Sequence, residues 1–120
     1  MYPELVEIRN EDKLLRRVRF TNPSYVKEDL TLTSFAFKLR KGEAGLSVDI
    51  EKLTNFQNSI SDVTKYRLFV FTAFDIRSCG ADCFHKPVEE NYAHAEITAQ
   101  KITNSISSQL AKLAQFVNYP

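Results

Sequence analysis

Tyr66-Arg67-Leu68-Phe69-Val70-Phe71-Thr72 is the stretch whose reading decides the fold. Its unbroken apolar run from Leu68 to Phe71 predicts a strand covered on both faces, which places it in the middle of a sheet. Working forward, residues 73–79 fit two turns of helix with Phe74 and Ile76 inward, and Gly80 stands where helices commonly end in a left-handed conformation. A strand over 81–86 follows. Residues 92–99 then alternate, with Tyr92, His94, Glu96 and Thr98 on one face and Ala93, Ala95, Ile97 and Ala99 on the other. Ile102, Ile106, Leu110, Leu113 and Val117 recur at helical spacing, which predicts a terminal amphipathic helix packed on the sheet with Thr98 as its cap.

Working backward, Leu53, Phe56, Ile60 and Val63 are spaced for a helical segment over 51–64, with Asp49 or Asp62 as local caps. Leu46-Ser47-Val48-Asp49-Ile50 reads as a short strand. Residues 31–39 read as another, with Thr33, Phe35, Phe37 and Leu39 on one face, and the turn 40–45 joins the two into a hairpin. Residues 24–30 form a loop or one helical turn after Pro23. The first strand, 14–20, carries Leu14, Arg16, Val18 and Phe20 on one side and Leu15, Arg17 and Arg19 on the other. The sum is an α+β fold: one compact domain over 1–120, with a mixed, mostly antiparallel sheet, a short helix before the last strands and the C-terminal helix on top. Residues 1–13 read as either a strand or a peripheral arm, and strand 46–50, read as an edge, offers a place for a homodimer to form.

Composition excludes several function classes. A formal charge of +1 disfavours nucleic-acid binding by gross electrostatics. The distribution is uneven, because residues 1–41 hold nine Lys or Arg against six acids and residues 42–97 hold five against nine. These charges read as solvated strand faces, with a local basic patch as the alternative. Only three glycines leave no room for a phosphate-binding glycine loop. No apolar run approaches the roughly 20 residues of a membrane span, and the acidic start of the chain does not read as a secretory signal, so the expectation is a cytoplasmic protein without a membrane partner.

His94-Ala95-Glu96 matches the H-x-E of zinc nucleobase deaminases, but no cysteine follows it to complete their zinc site. Cys79, Cys83, His85 and His94 are zinc-type ligands at a spacing that matches no common knuckle. If strands 81–86 and 92–98 pair with Cys83 opposite Glu96 and His85 opposite His94, the four ligand types share a face; a one-residue slip puts Phe84 opposite His94 and removes the site. Neither a metal nor another cofactor is implied. A pairing of Cys83 or Ser47 with His94 as nucleophile and base lacks any motif to support it. Phe35, Phe37, Phe69 and Phe71 read as core rather than as a base-stacking platform.

The segments Leu15-Arg16-Arg17-Val18, Thr33-Ser34-Phe35-Ala36-Phe37, Gly45-Leu46-Ser47-Val48-Asp49, Phe74-Asp75-Ile76-Arg77-Ser78-Cys79-Gly80 and Ala93-His94-Ala95-Glu96-Ile97 together resemble small uncharacterised bacterial proteins with an arginine-rich first strand, a G-L-S-V-D strand and a terminal A-H-A-x-I strand. The resemblance implies no particular activity. It implies aliphatic residues in the places of Cys79 and Cys83, hence a packing role for both thiols, and it marks His94 as a functional position.

Two functions are compatible with these residues. One is a binding or regulatory module, part of a bacterial interaction or defence system, whose polar sheet surface of Arg17, Arg19, Tyr92, His94 and Glu96, with His85 beside it, meets a protein partner or a phosphate-bearing ligand. The other is a small enzyme acting on a nucleotide or nucleic-acid phosphate, with His94 as general acid or base, Glu96 orienting it and the first-strand arginines holding phosphate. A purely structural account, in which His94 and Glu96 hydrogen-bond within the sheet, stands beside both.

Overall fold

The computed structural model describes residues 4–118. The apolar run of the sequence becomes β3 (Tyr66–Thr72), paired antiparallel along its whole length with β1 (Lys13–Arg19), from Lys13↔Thr72 to Arg19↔Tyr66. Four further strands complete a six-stranded sheet: β2 (Leu46–Ile50), β4 (Asp82–His85), β5 (His94–Thr98) and the two-residue β6 (Gln115–Phe116). The order is β4-β5-β2-β1-β3-β6, and every neighbouring pair is antiparallel. The α+β class holds, with a purely antiparallel sheet.

One face of this sheet builds the main core. Leu14, Val18, Leu46, Val48, Ile50, Phe69, Phe71, Cys83, Ala95 and Ile97 project from the strands and meet Ala73 and Ile76 of α2 (Ala73–Ser78) and Ile106, Leu110 and Ala111 of α3 (Asn104–Leu113). On the opposite face Ile60 and Phe56 of α1 (Phe56–Ile60) pack on Leu15 of β1 and Leu68 of β3. Over β2 and β5 that side carries polar residues, of which Ser47 is exposed and Asp49, His94, Glu96 and Thr98 are half-buried.

Helix starts follow side-chain chemistry. Thr72 caps α2 in a reciprocal capping box with Asp75. Thr103, not Thr98, caps α3 by accepting from the Ile106 N–H, because Thr98 is still the last residue of β5. Asn55 rather than Asp49 or Asp62 caps α1, and Asp62 bonds Thr64 instead. Phe74 points outward at 60% exposure while Ile76 is buried, since a helix this short buries only one side.

The hairpin expected from 31–39 and 46–50 does not form. Residues 34–37 make a 3-10 turn, Leu32 bridges Val26, and β2 lies inside the sheet between β5 and β1. The segment 31–39 joins none of the six strands. Its carbonyls are satisfied by side chains instead: Ala36 O by Arg16 and Phe37 O by Ser107. Phe37 goes fully into the core against Phe71, edge to face, while Phe35 faces solvent. The alternation of phenylalanines was therefore a signal of one anchor and one exposed ring. With β2 internal, the strand edges are β4 and β6, not Leu46–Ile50.

Gly45 explains how β2 approaches β5. A Cβ there would lie 2.9 Å from the Ile97 carbonyl oxygen and 3.0 Å from Thr98 Cγ2, so only glycine lets the chain enter the strand this closely.

Candidate functional site

The β1–β2 ladder contains only Leu14↔Ile50 and Leu15↔Asp49, although β1 continues to Arg19. Beyond Leu15 the side of β1 toward β2 is open, and the segment 35–43 arches over the gap. Arg16 bridges it: Nη1 donates to Ser47 O at 2.6 Å, and Nε and Nη2 donate to Ala36 O at 3.2 and 2.9 Å. Its guanidinium also lies 5.6 Å from the Phe37 ring centroid. Burial pushes the Arg16 pKa down to about 10, so the group stays a cation at neutral pH.

A cleft of about 440 Å³ opens at this split, with Arg16, Arg17, Arg19, Lys38 and Arg40 on its walls against a single acid, Glu43. Among the described residues none of the five forms an ion pair with a carboxylate; Lys52, Lys65, Arg77 and Lys86 take the ion pairs. Aromatic rings order the cations instead. The Arg17 and Arg19 guanidinium carbons lie 4.8 and 6.0 Å from the Tyr66 ring centroid, Lys38 Nζ lies 4.3 Å from that of Phe35, and Arg40 Nη2 donates to Tyr25 Oη at 3.5 Å. Arg17 Nη1 also donates to Ser61 Oγ at 3.1 Å, and the remaining N–H groups of the stacked arginines are left for an anion.

A second, smaller hollow of about 140 Å³ shares Arg16 and Arg17 with the cleft and is closed by Asp49, Asn58 and His94. Asp49 is fixed by Ser59 Oγ and by Asn91 Nδ2, each donating at 2.7 Å. His94 stands opposite Asp49 in the β2–β5 ladder, and its Nδ1 is 2.8 Å from Lys86 O. A carbonyl can only accept, so Nδ1 carries the proton of the neutral ring and Nε2 is left as the acceptor. Among the described residues Nε2 has no partner.

The structure therefore brings Arg17, Arg19 and His94 to one wet face. Glu96 shares that face but faces Phe84 and Ser47 across the ladders, and its carboxylate pairs with Lys86 at 3.3 Å; Lys86 O, not Glu96, orients His94. His85 and Tyr92 lie elsewhere. His85 is on the core face at 6% exposure, accepting from Val6 N at Nδ1 and facing Tyr92 O at Nε2, and the Tyr92 hydroxyl donates to Glu4 O. With the two rings edge to face at 4.8 Å, this pair tethers the segment leading into β1.

The β4–β5 register, Cys83↔Ile97, Phe84↔Glu96 and His85↔Ala95, matches neither pairing weighed from the sequence, and it puts Cys83 and His85 on the face away from His94 and Glu96. Among the described residues no group of three or more His, Cys, Asp and Glu side chains is placed to hold a metal ion. Cys79 and Cys83 are free and buried, and burial pushes the Cys83 thiol up to about 11. No helix among the described residues is long and apolar enough to cross a membrane.

The sequence offered Lys38 and Arg40 only as members of an alternative basic patch and read Phe35 as core, and it did not single out Tyr25 and Tyr66. Their convergence comes from the arch of 35–43 over β1, and the one local trace of it is the Lys38-Leu39-Arg40-Lys41 run beside an exposed aromatic.

Compared with protein-family models, with curated proteins and with solved structures, the chain finds no match.

Proposed function

We propose that the protein is a binding module that takes a phosphate-bearing ligand in the cleft between β1 and the arch 35–43. One observation carries the reading: five cations line the cleft against Glu43 alone, and none of the five is ion-paired among the described residues. Five like charges held together against one counter-charge repel one another, and a phosphate that accepts paired guanidinium N–H bonds relieves this. The +1 total conceals the cluster because the acids sit elsewhere in the chain. A cytoplasmic setting, suggested by two free buried cysteines, belongs to the same proposal.

Titration with tripolyphosphate at low ionic strength, followed by backbone amide NMR, tests it. The expected result is saturable shifts confined to residues 16–19, 35–43 and 66, abolished in Arg17→Ala/Arg19→Ala. Weak shifts spread over every exposed lysine would overturn it.

His94 favours a second reading, an enzyme acting on a nucleotide or nucleic-acid phosphate. His94 borders the hollow that Arg17 also lines, and with Nδ1 held by Lys86 O its Nε2 is the nitrogen that would take a proton from an attacking hydroxyl as a general base. Hydrolysis of a nitrophenyl phosphodiester that disappears in His94→Gln would support this reading. Activity equal in both proteins would remove it.

A further inference from the structure

Phe35 is the residue in the cleft that a simple phosphate does not explain. It is 55% exposed, yet it stands on a rigid mount: the 3-10 turn that carries it is pinned by buried Ala36 and Phe37, by Arg16 on Ala36 O and by Ser107 on Phe37 O. A large apolar ring held in water without a packing partner costs free energy. Lys38 covers one face of the ring, at 4.3 Å from its centroid. Tyr66, also on the cleft wall, carries Arg17 and Arg19 stacked beside it. Cations interleaved with aromatic rings along a groove are what a ligand with both a phosphate and a flat, apolar-faced ring requires. At about 440 Å³ the cleft is also in the size range of small-molecule sites rather than of a lone phosphate.

We infer that the ligand is a nucleotide unit, with its phosphate on Arg17 and Arg19 and its base against Phe35. The inference rests on the phosphate-binding reading above and adds the base. The chemistry is common to a free nucleotide and to a nucleotide within a single strand. In a single strand the flanking phosphates would run along Arg40 and Lys38, which line the same cleft.

The test compares AMP with ribose phosphate, which has the same phosphate and no base, by calorimetry on the wild type, Phe35→Ala and Arg17→Ala/Arg19→Ala. AMP is expected to bind the wild type roughly tenfold more tightly than ribose phosphate, as one stacked base provides. Phe35→Ala should bring AMP down to the ribose phosphate value and leave ribose phosphate unchanged; the ring is exposed, so circular dichroism should show an intact fold. Equal binding of AMP and ribose phosphate by the wild type, with the arginine variant binding neither, overturns the base subsite and leaves the phosphate reading standing. Binding of neither compound by the wild type overturns both. A short single-stranded RNA added to the series separates the sources. A further gain over AMP that declines steeply with salt identifies a strand, and no gain identifies the free nucleotide; either result carries the inference.

Discussion

Arg16 Nη1 donates to the Ser47 carbonyl oxygen at 2.6 Å, at the point where the β1–β2 ladder has ended, so a side chain replaces the backbone partner that β2 loses. The same guanidinium holds Ala36 O, and one residue thus ties the arch 35–43 to two strands.

Arg16→Ala should leave both carbonyls without this donor and lower stability by about 2–4 kcal/mol, in line with hydrogen bonds from a charged group. Arg16→Lys should recover only part of the loss, because one ammonium lacks the fork that reaches both oxygens. Urea unfolding of the three proteins measures this. Equal midpoints for wild type and Arg16→Lys would show that charge alone, not geometry, matters at the split.

Gly45→Ala tests the close approach of β2 to β5. The added Cβ would meet backbone at Ile97 O, 2.9 Å away, which cannot rotate aside as a flexible side chain would. We expect a loss of about 1–3 kcal/mol, typical of overpacking, concentrated in the β2–β5 pairing. Amide exchange should speed up at residues 46–49 and 94–97 more than in the β1–β3 ladder. Uniform acceleration would mean that the strain spreads through the whole sheet.

Much of the fold was legible because its signals are local. The run Leu68 to Phe71 marked an inner strand, Gly80 marked the end of α2 with φ of +92°, and the Ile106–Leu110 stripe marked α3. Residues 31–39 misled because period-two spacing says which side chains can share a face, not whether a partner strand exists; here Arg16 and Ser107 took the carbonyls of Ala36 and Phe37 in place of a partner strand. The same limit applied to the site. Arg17, Arg19 and His94 stood out as polar residues on strands, whereas Lys38, Arg40 and Phe35 join them only through the arch. Register decided the rest, because the pairing His85↔Ala95 sends Cys83 and His85 to the core face.

The two thiols should be inert in the folded protein. Burial pushes the Cys83 pKa up to about 11 and raises that of Cys79 as well. At pH 8 a thiol of that acidity is roughly one part in a thousand thiolate, the form that reacts. Iodoacetamide should therefore label neither cysteine until denaturant unfolds the chain. The sign of the linked stability follows: between about 9, where the unfolded thiol ionises, and about 11 the unfolded state binds fewer protons than the folded one, so stability falls as pH rises through that window. In Cys83→Ala this part of the alkaline decline should diminish, and an unchanged pH profile would contradict the assignment.

Ser107 offers a way to disturb the cleft without touching it. It is 1% exposed on α3, and its Oγ donates to Phe37 O at 2.8 Å, which makes it the link between the C-terminal helix and the turn that presents Phe35. Ser107→Ala leaves that carbonyl buried without its donor, at an expected cost of about 1–3 kcal/mol. Loosening the turn should also weaken AMP binding severalfold while ribose phosphate, held by Arg17 and Arg19 on β1, binds as before. Calorimetry on the folded variant reads both. If the two ligands weaken together, the arch and β1 respond as one rigid unit and the turn has no separate part in placing the Phe35 ring.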